Sequence, residues 1–188
     1  MDNVAFMRKA KMQLAGQWMP AALGTLIFLV IMSAASFTYI GSLILVGPLT
    51  LGYVLFVSRL VDTKNSGLDI LFAGFNRFVE TLIAGLLASI AISIGICLLI
   101  VPGIILAMGL GLTFFIMADD ANITGLDALK QSWEMMKGHK WDFFCLQFRF
   151  IGWILLACLT CGIGLLWVYP YMYAAELNFY RQLRYGTF

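Results

Sequence analysis

M-K-G-H-K-W-D at residues 136–142, the apolar run F-F-C-L-Q-F-R-F-I-G-W-I-L-L-A-C-L at 143–159, and T-C-G-I-G-L-L-W-V-Y-P-Y-M-Y-A-A-E-L-N-F-Y at 160–180 together decide the fold. The first piece is basic and carries a tryptophan, which suits water beside a membrane surface. The second is long enough to cross a bilayer as a helix, which takes about 20 apolar residues. A very short uncharged turn follows. The third piece returns and closes at F-Y-R-Q-L-R, 179–184. The rest of the chain reads as looser copies of this unit.

Composition sets the solvent. Of the 188 residues, 62% are hydrophobic and 12% charged, and the mean hydropathy is +0.92. Soluble domains carry about 25% charged residues. Half that charge does not cover a water-facing surface, so the chain reads as a polytopic membrane protein. A net charge of +2 is too small to imply nucleic acid as a partner. Cys97, Cys145, Cys158 and Cys161 all lie in apolar runs, where cysteine behaves as a small hydrophobe. C-L-T-C at 158–161 has no further ligands near it, so it reads as packing, with no metal or other cofactor expected. The apolar run after Arg8, Lys9 and Lys11 continues to Ile40. It exceeds the ~7–15 residues of a signal-peptide core and reads as a retained first crossing.

The expected fold class is an all-α membrane protein with six transmembrane helices in three hairpins, each preceded by an amphipathic interfacial helix. The expected crossings are about 20–39, 42–58, 81–100, 102–118, 143–159 and 163–180. The apolar runs lack the alternation of a membrane barrel. Every basic residue except Arg149 falls at the N-terminus, in the second or fourth connection, or at the C-terminus. The other three connections carry no charge. The positive-inside rule then puts both termini in the cytoplasm.

Three feet are expected in the interface. Leu68, Leu71, Phe72, Phe75, Phe78, Val79 and Leu82 recur at helical spacing, with Asp69, Asn76 and Arg77 opposite. Leu126, Leu129, Trp133 and Met136 repeat the pattern, with Thr124 and Asp127 as a capping box and Gly138 placed to end the helix. Residues 1–16 are a weaker version, with Val4, Met7 and Leu14 on one side. Gly16 and Pro48 stand as far apart as Gly138 and Pro170, and Arg59 and Arg181 follow the two prolines at equal spacing. Gly74 and Pro102 are closer by about one helical turn. The spacing predicts a single integral membrane domain of three parallel units, 1–62, 66–120 and 124–184.

Small residues predict how one hairpin packs. Gly85, Ser89 and Ser93 line one face of the third crossing, and Gly103, Ala107 and Gly111 one face of the fourth. Such residues let backbones approach where lipid is as apolar as leucine, so the two faces are expected to meet.

S-W-E-M-M-K-G-H-K-W (132–141), F-I-G-W (150–153), L-T-C-G-I-G-L-L-W-V-Y-P-Y (159–171) and the closing F-Y resemble a bacterial integral-membrane family catalogued only as domain of unknown function 975. G-P-L-T-L-G-Y (47–53), L-F-A-G-F (71–75), I-V-P-G-I-I (100–105) and M-A-D-D (117–120) resemble its landmarks in the same order. The resemblance implies a bacterial multi-pass protein of the cytoplasmic (inner) membrane. A more distant similarity reaches the membrane portion of some glycerophosphodiester phosphodiesterases. That portion is not the catalytic part, so it implies no activity. Arg149 departs from the pattern, where a small polar residue is expected before F-I-G-W.

Few residues invite a functional role. Arg149 is the basic residue within a crossing, where a charge costs about 2.5–3.5 kcal/mol on insertion scales. Either it pairs with Glu176 on the sixth crossing, or both side chains snorkel to the interface. Asp119 and Asp120 follow the fourth crossing, where carboxylates oppose the helix dipole. That placement fits a cation site or a contact to the basic feet, but without further ligands a solvated loop is the expectation. No Ser/His/Asp set, phosphate loop or H-E-x-x-H occurs, so the chain does not read as an enzyme. Lys130, Trp133, Lys137, Lys140 and Trp141 suit anionic head groups. The reading is therefore an interaction module contacting lipid or another membrane protein. The alternative is a small-solute transporter or channel, with helix breaks at Pro48, Pro102 and Pro170 exposing backbone carbonyls.

Overall fold

A computed structural model of the chain describes residues 3–36, 39–63, 67–160 and 162–186. The described residues contain no strand. They form α1 (Asn3–Gln13), α2 (Trp18–Ser36), α3 (Tyr39–Thr63), a 3-10 helix (Leu68–Arg77), α4 (Phe78–Leu98), α5 (Ile100–Leu110), α6 (Thr113–Asp119), α7 (Gly125–Met135), α8 (Lys140–Leu159) and α9 (Leu165–Tyr185). Lys64 and Cys161 lie outside the described residues.

Among the described residues, five stretches are long and apolar enough to cross a membrane: Trp18–Ala35, Ile44–Thr63, Leu68–Cys97, Ile100–Asp119 and Lys140–Leu159. α9 is not among them, although it has 21 residues. Its middle is loaded with Tyr169, Tyr171, Tyr173, Glu176 and Asn178. The physical reason is its position. α9 packs against α1, α2, α3 and α8, and Ala174 to Tyr180 are buried without interruption. A helix surrounded by protein does not need an apolar outer face.

α3 is the other central helix, the most buried of the five candidate spans. Between α2, α3, α6 and α9 lies an aromatic core. Tyr53 is fully buried and meets Tyr173 edge-on at 4.9 Å and Phe28 at 4.7 Å. Phe115 of α6 joins through Tyr173 and Tyr180. The Tyr53 hydroxyl is matched by Thr25 of α2 at 2.8 Å, so this polar tip is not stranded.

Several expectations need correction. The foot before α4 is a 3-10 helix rather than an α-helix, pressed backbone-to-backbone on α3, with Ile70, Leu71 and Gly74 buried. A Cβ on Gly74 would lie 1.9 Å from the Pro48 carbonyl oxygen, and one on Gly52 1.9 Å from that of Leu71. α1 buries Asn3, Phe6 and Ala10 rather than Val4, which is exposed. It docks on α9, with Phe6 edge-on to Phe179 at 5.6 Å.

The fourth expected crossing is two helices. α5 stops at Leu110, the Gly111 N–H turns back to Met108 at 3.3 Å, and the ring of Phe143 on α8 lies 3.0 Å from where a Gly111 Cβ would be. α4 and α5 do pack together, through Gly95 and Gly103. Gly85 instead faces Gly47 of α3, Gly111 faces α8, and Ser93 is exposed. Nor are Pro48 and Pro170 breaks, since α3 and α9 run through them. Pro102 sits in the first turn of α5, where a missing N–H costs nothing.

Candidate functional site

The basic foot is assembled from α7 and the start of α8. The Thr124 hydroxyl accepts the Asp127 N–H at 3.2 Å and donates to its carboxylate at 2.7 Å, a reciprocal cap that starts α7. The chain leaves α7 through Gly138 at φ +81, a left-handed conformation that favours glycine. Gly16 makes the same turn between α1 and α2, at φ +85.

This geometry spreads four of the five expected contact residues over two faces of α5, and Lys137 lies on neither. Trp133 packs so closely on α5 that a Cβ on Gly109 would lie 2.3 Å from its ring, and the Ser132 hydroxyl donates to the Gly109 carbonyl at 2.8 Å. Lys130 and Trp133, with Leu87, Leu106, Leu110 and Glu134, whose carboxylate is paired with Lys137, line a groove of about 430 Å³ between α4, α5 and α7. Lys140 and Trp141, with Val101, Ile104, Met108 and Phe144, line another of about 340 Å³ between α5 and α8. The ammonium of Lys140 stands 3.2 Å from the centre of the Trp133 ring, a cation–π contact that ties the two halves of the foot. Trp141 is 73% exposed. Lys137 is not free, since its ammonium donates to Glu134 at 2.6 Å. Lys130 lies 3.8 Å from Asp127. His139 has the Asp142 carboxylate at 3.5 Å.

The structure does not bring Arg149 to Glu176. Arg149 is exposed on α8. Glu176 is 6% exposed, and its carboxylate accepts from the Gln147 amide at 2.6 Å. Gln147 and Arg149 are two positions apart and so point to different sides of α8. Asp119 is exposed as expected, but it ends α6 and its carboxylate is engaged. Its Oδ2 accepts from the Tyr180 hydroxyl at 3.0 Å and the Tyr185 hydroxyl at 2.5 Å, and Arg184 Nε lies 3.0 Å away. The hydrogen bond to Asp119 holds the Tyr185 hydroxyl above its ordinary pKa. Asp120 accepts from the Asn122 N–H at 2.9 Å and shapes the turn into α7.

Other polar links carried no signal in the sequence. Arg181 donates twice to Asp62, at 2.6 and 2.7 Å, and joins the ends of α9 and α3. That bidentate pair holds the guanidinium more basic than usual. Arg77, placed by periodicity on a polar face, instead donates to the carbonyls of Met117 and Asp120 at 3.1 Å and to that of Ile123. No group of three or more His, Cys, Asp or Glu that could hold a metal occurs among the described residues. Cys158 is free and exposed.

Residues 96–186 match the family described as Protein of unknown function (DUF975). The match includes the whole foot, α8 and α9. Among curated proteins and among solved structures, none matches the chain.

Proposed function

We propose that this chain, which belongs to the DUF975 family through residues 96–186, is a multi-pass bacterial inner-membrane module whose work is to hold anionic phospholipid against its foot. One observation carries the reading. On each side of α5 an apolar groove has a lysine and a tryptophan in its lining, Lys130 with Trp133 and Lys140 with Trp141. Apolar walls suit an acyl chain, and each lysine near a membrane surface attracts anionic lipid by about 1 kcal/mol. Such a site has a binding role, with no catalytic one. It also gives no role to solute transport, because α3 and α9 continue through their prolines.

In this reading α9 is a sixth crossing, paired with α8, and the repeat units 1–62, 66–120 and 124–184 each contribute two. Support comes from the matching left-handed glycines, Gly16 and Gly138, at the foot of the first and third units. All basic residues but Arg149 then face the cytoplasm with both termini. Another membrane protein is the alternative occupant of the foot.

The test is retention of lipid on gently extracted protein, read by native mass spectrometry. Lys130→Gln/Lys140→Gln is expected to retain several-fold less phosphatidylglycerol than wild type. Unchanged retention rejects the lipid reading. Reporter fusions to the two termini test the topology, which fails if they report opposite sides.

A further inference from the structure

A third groove lies away from the foot. Its volume is about 550 Å³, and it is lined by Lys11, Trp18, Trp153, Trp167, Val168 and Tyr171. α9 supplies its floor through Val168 and Tyr171. α2 and α8 supply its walls through Trp18 and Trp153, each packed on α9. Tyr171 is held edge-on to Phe150 of α8 at 5.2 Å. Trp153 and Trp167 remain nearly half exposed. The groove therefore opens sideways, beside the apolar outer faces of α2 and α8.

Among the described residues, its one charged lining residue is Lys11, at the end of α1. Lys11 is exposed and forms no ion pair among the described residues. We infer that this groove binds one anionic phospholipid, its phosphate on Lys11 and an acyl chain between Trp153 and Trp167. The inference rests on the membrane reading above but not on the foot, with which it shares no residue.

Shape and charge select this occupant. A helix is 10–12 Å across, so 550 Å³ holds roughly one turn of it, too little for a partner helix. A polar solute would find too few hydrogen-bond partners on these walls. A zwitterionic lipid would place no net charge beside Lys11. An anionic one pairs that charge while its chain covers the indole faces, and tryptophan suits the boundary between head group and hydrocarbon.

The test uses the full chain in phosphatidylcholine nanodiscs, titrated with phosphatidylglycerol brominated on its acyl chain and, separately, with equally brominated phosphatidylcholine. Quenching at the groove is the part of the tryptophan signal lost in Trp153→Phe/Trp167→Phe. That part is expected to reach half-quenching at a several-fold lower mole fraction of the anionic lipid. Lys11→Gln, a change on an exposed side chain, is expected to abolish the difference. Equal quenching by both lipids, or a preference that survives Lys11→Gln, overturns the inference. Trp141→Phe isolates the foot in the same titration. A preference at Trp141 with none at the groove removes this site and leaves the foot, whereas a preference at the groove alone supports this site and removes the foot.

Discussion

Arg77 and Glu80 lie about one helical turn apart and grip the two ends of the same loop. The guanidinium of Arg77 donates to the Met117, Asp120 and Ile123 carbonyls as α6 ends. The carboxylate of Glu80 accepts the Gly125 N–H at 2.6 Å as α7 begins. Each charge complements the partial charge of the helix end it meets. The pair therefore sets the angle at which the foot leaves α6, and with it the groove between α4, α5 and α7.

Removing the grip is expected to cost stability unequally. Hydrogen bonds to a charged group are worth about 1.5–3 kcal/mol. Glu80→Ala loses one such bond, whereas Arg77→Met strands three carbonyls and is expected to cost more. Arg77→Lys is expected to rescue little, because an ammonium lacks the planar fork. Denaturant titration in detergent, followed by tryptophan fluorescence, measures all three. An Arg77→Met variant as stable as wild type contradicts the assignment.

The glycines separate close approach from turn geometry. Gly74→Ala drives a methyl into the Pro48 carbonyl, which is backbone and does not yield. Its expected cost is at or above the upper end of the ~1–3 kcal/mol typical of overpacking. Gly16→Ala meets open space and pays only for φ +85, about 1–2 kcal/mol. The reverse ranking in a thermal melt would show that the 3-10 helix does not lie on α3.

Arg149 and Glu176 are expected to act independently. Arg149→Met should not destabilise, since the side chain faces outward from a candidate span, where a charge is a cost rather than a contact. Gln147→Leu and Glu176→Gln should couple, because their side chains share a hydrogen bond. In double-mutant cycles, Arg149 with Glu176 should add within about 0.5 kcal/mol, and Gln147 with Glu176 should not. Strong coupling in the first cycle would restore the ion pair.

The C-terminal latch on Asp119 predicts an alkaline limit. Tyr185 is held above its ordinary pKa by donating to Asp119. Its contribution is complete below the unfolded tyrosine value of about 10 and is lost as pH rises through the higher folded value. Wild type should lose melting temperature above pH ~10 more steeply than Tyr185→Phe. Parallel curves would show that the latch adds no stability.

Much of this architecture was written in one dimension. Hydropathy located the apolar helices, because a chain with so little charge has few places to turn. Gly138 and the Thr124–Asp127 cap marked the two ends of α7, because positive φ and an unpaired N–H each demand particular residues.

Partner choice was not legible. Glu176 could reach for a guanidinium or an amide from the same position on α9, and which of Gln147 or Arg149 faces it depends on how α8 is rotated. Gly85 could pack on either neighbouring helix, and α3 won through Gly47. The sequence by itself determined which segments are apolar enough to leave water, since that depends on the summed transfer energy of each run. Only the tertiary structure decided which of them are buried by the others. α9 and α3 are enclosed by their neighbours, and that enclosure lets α9 carry tyrosines, an amide and a carboxylate at the centre of an otherwise apolar chain.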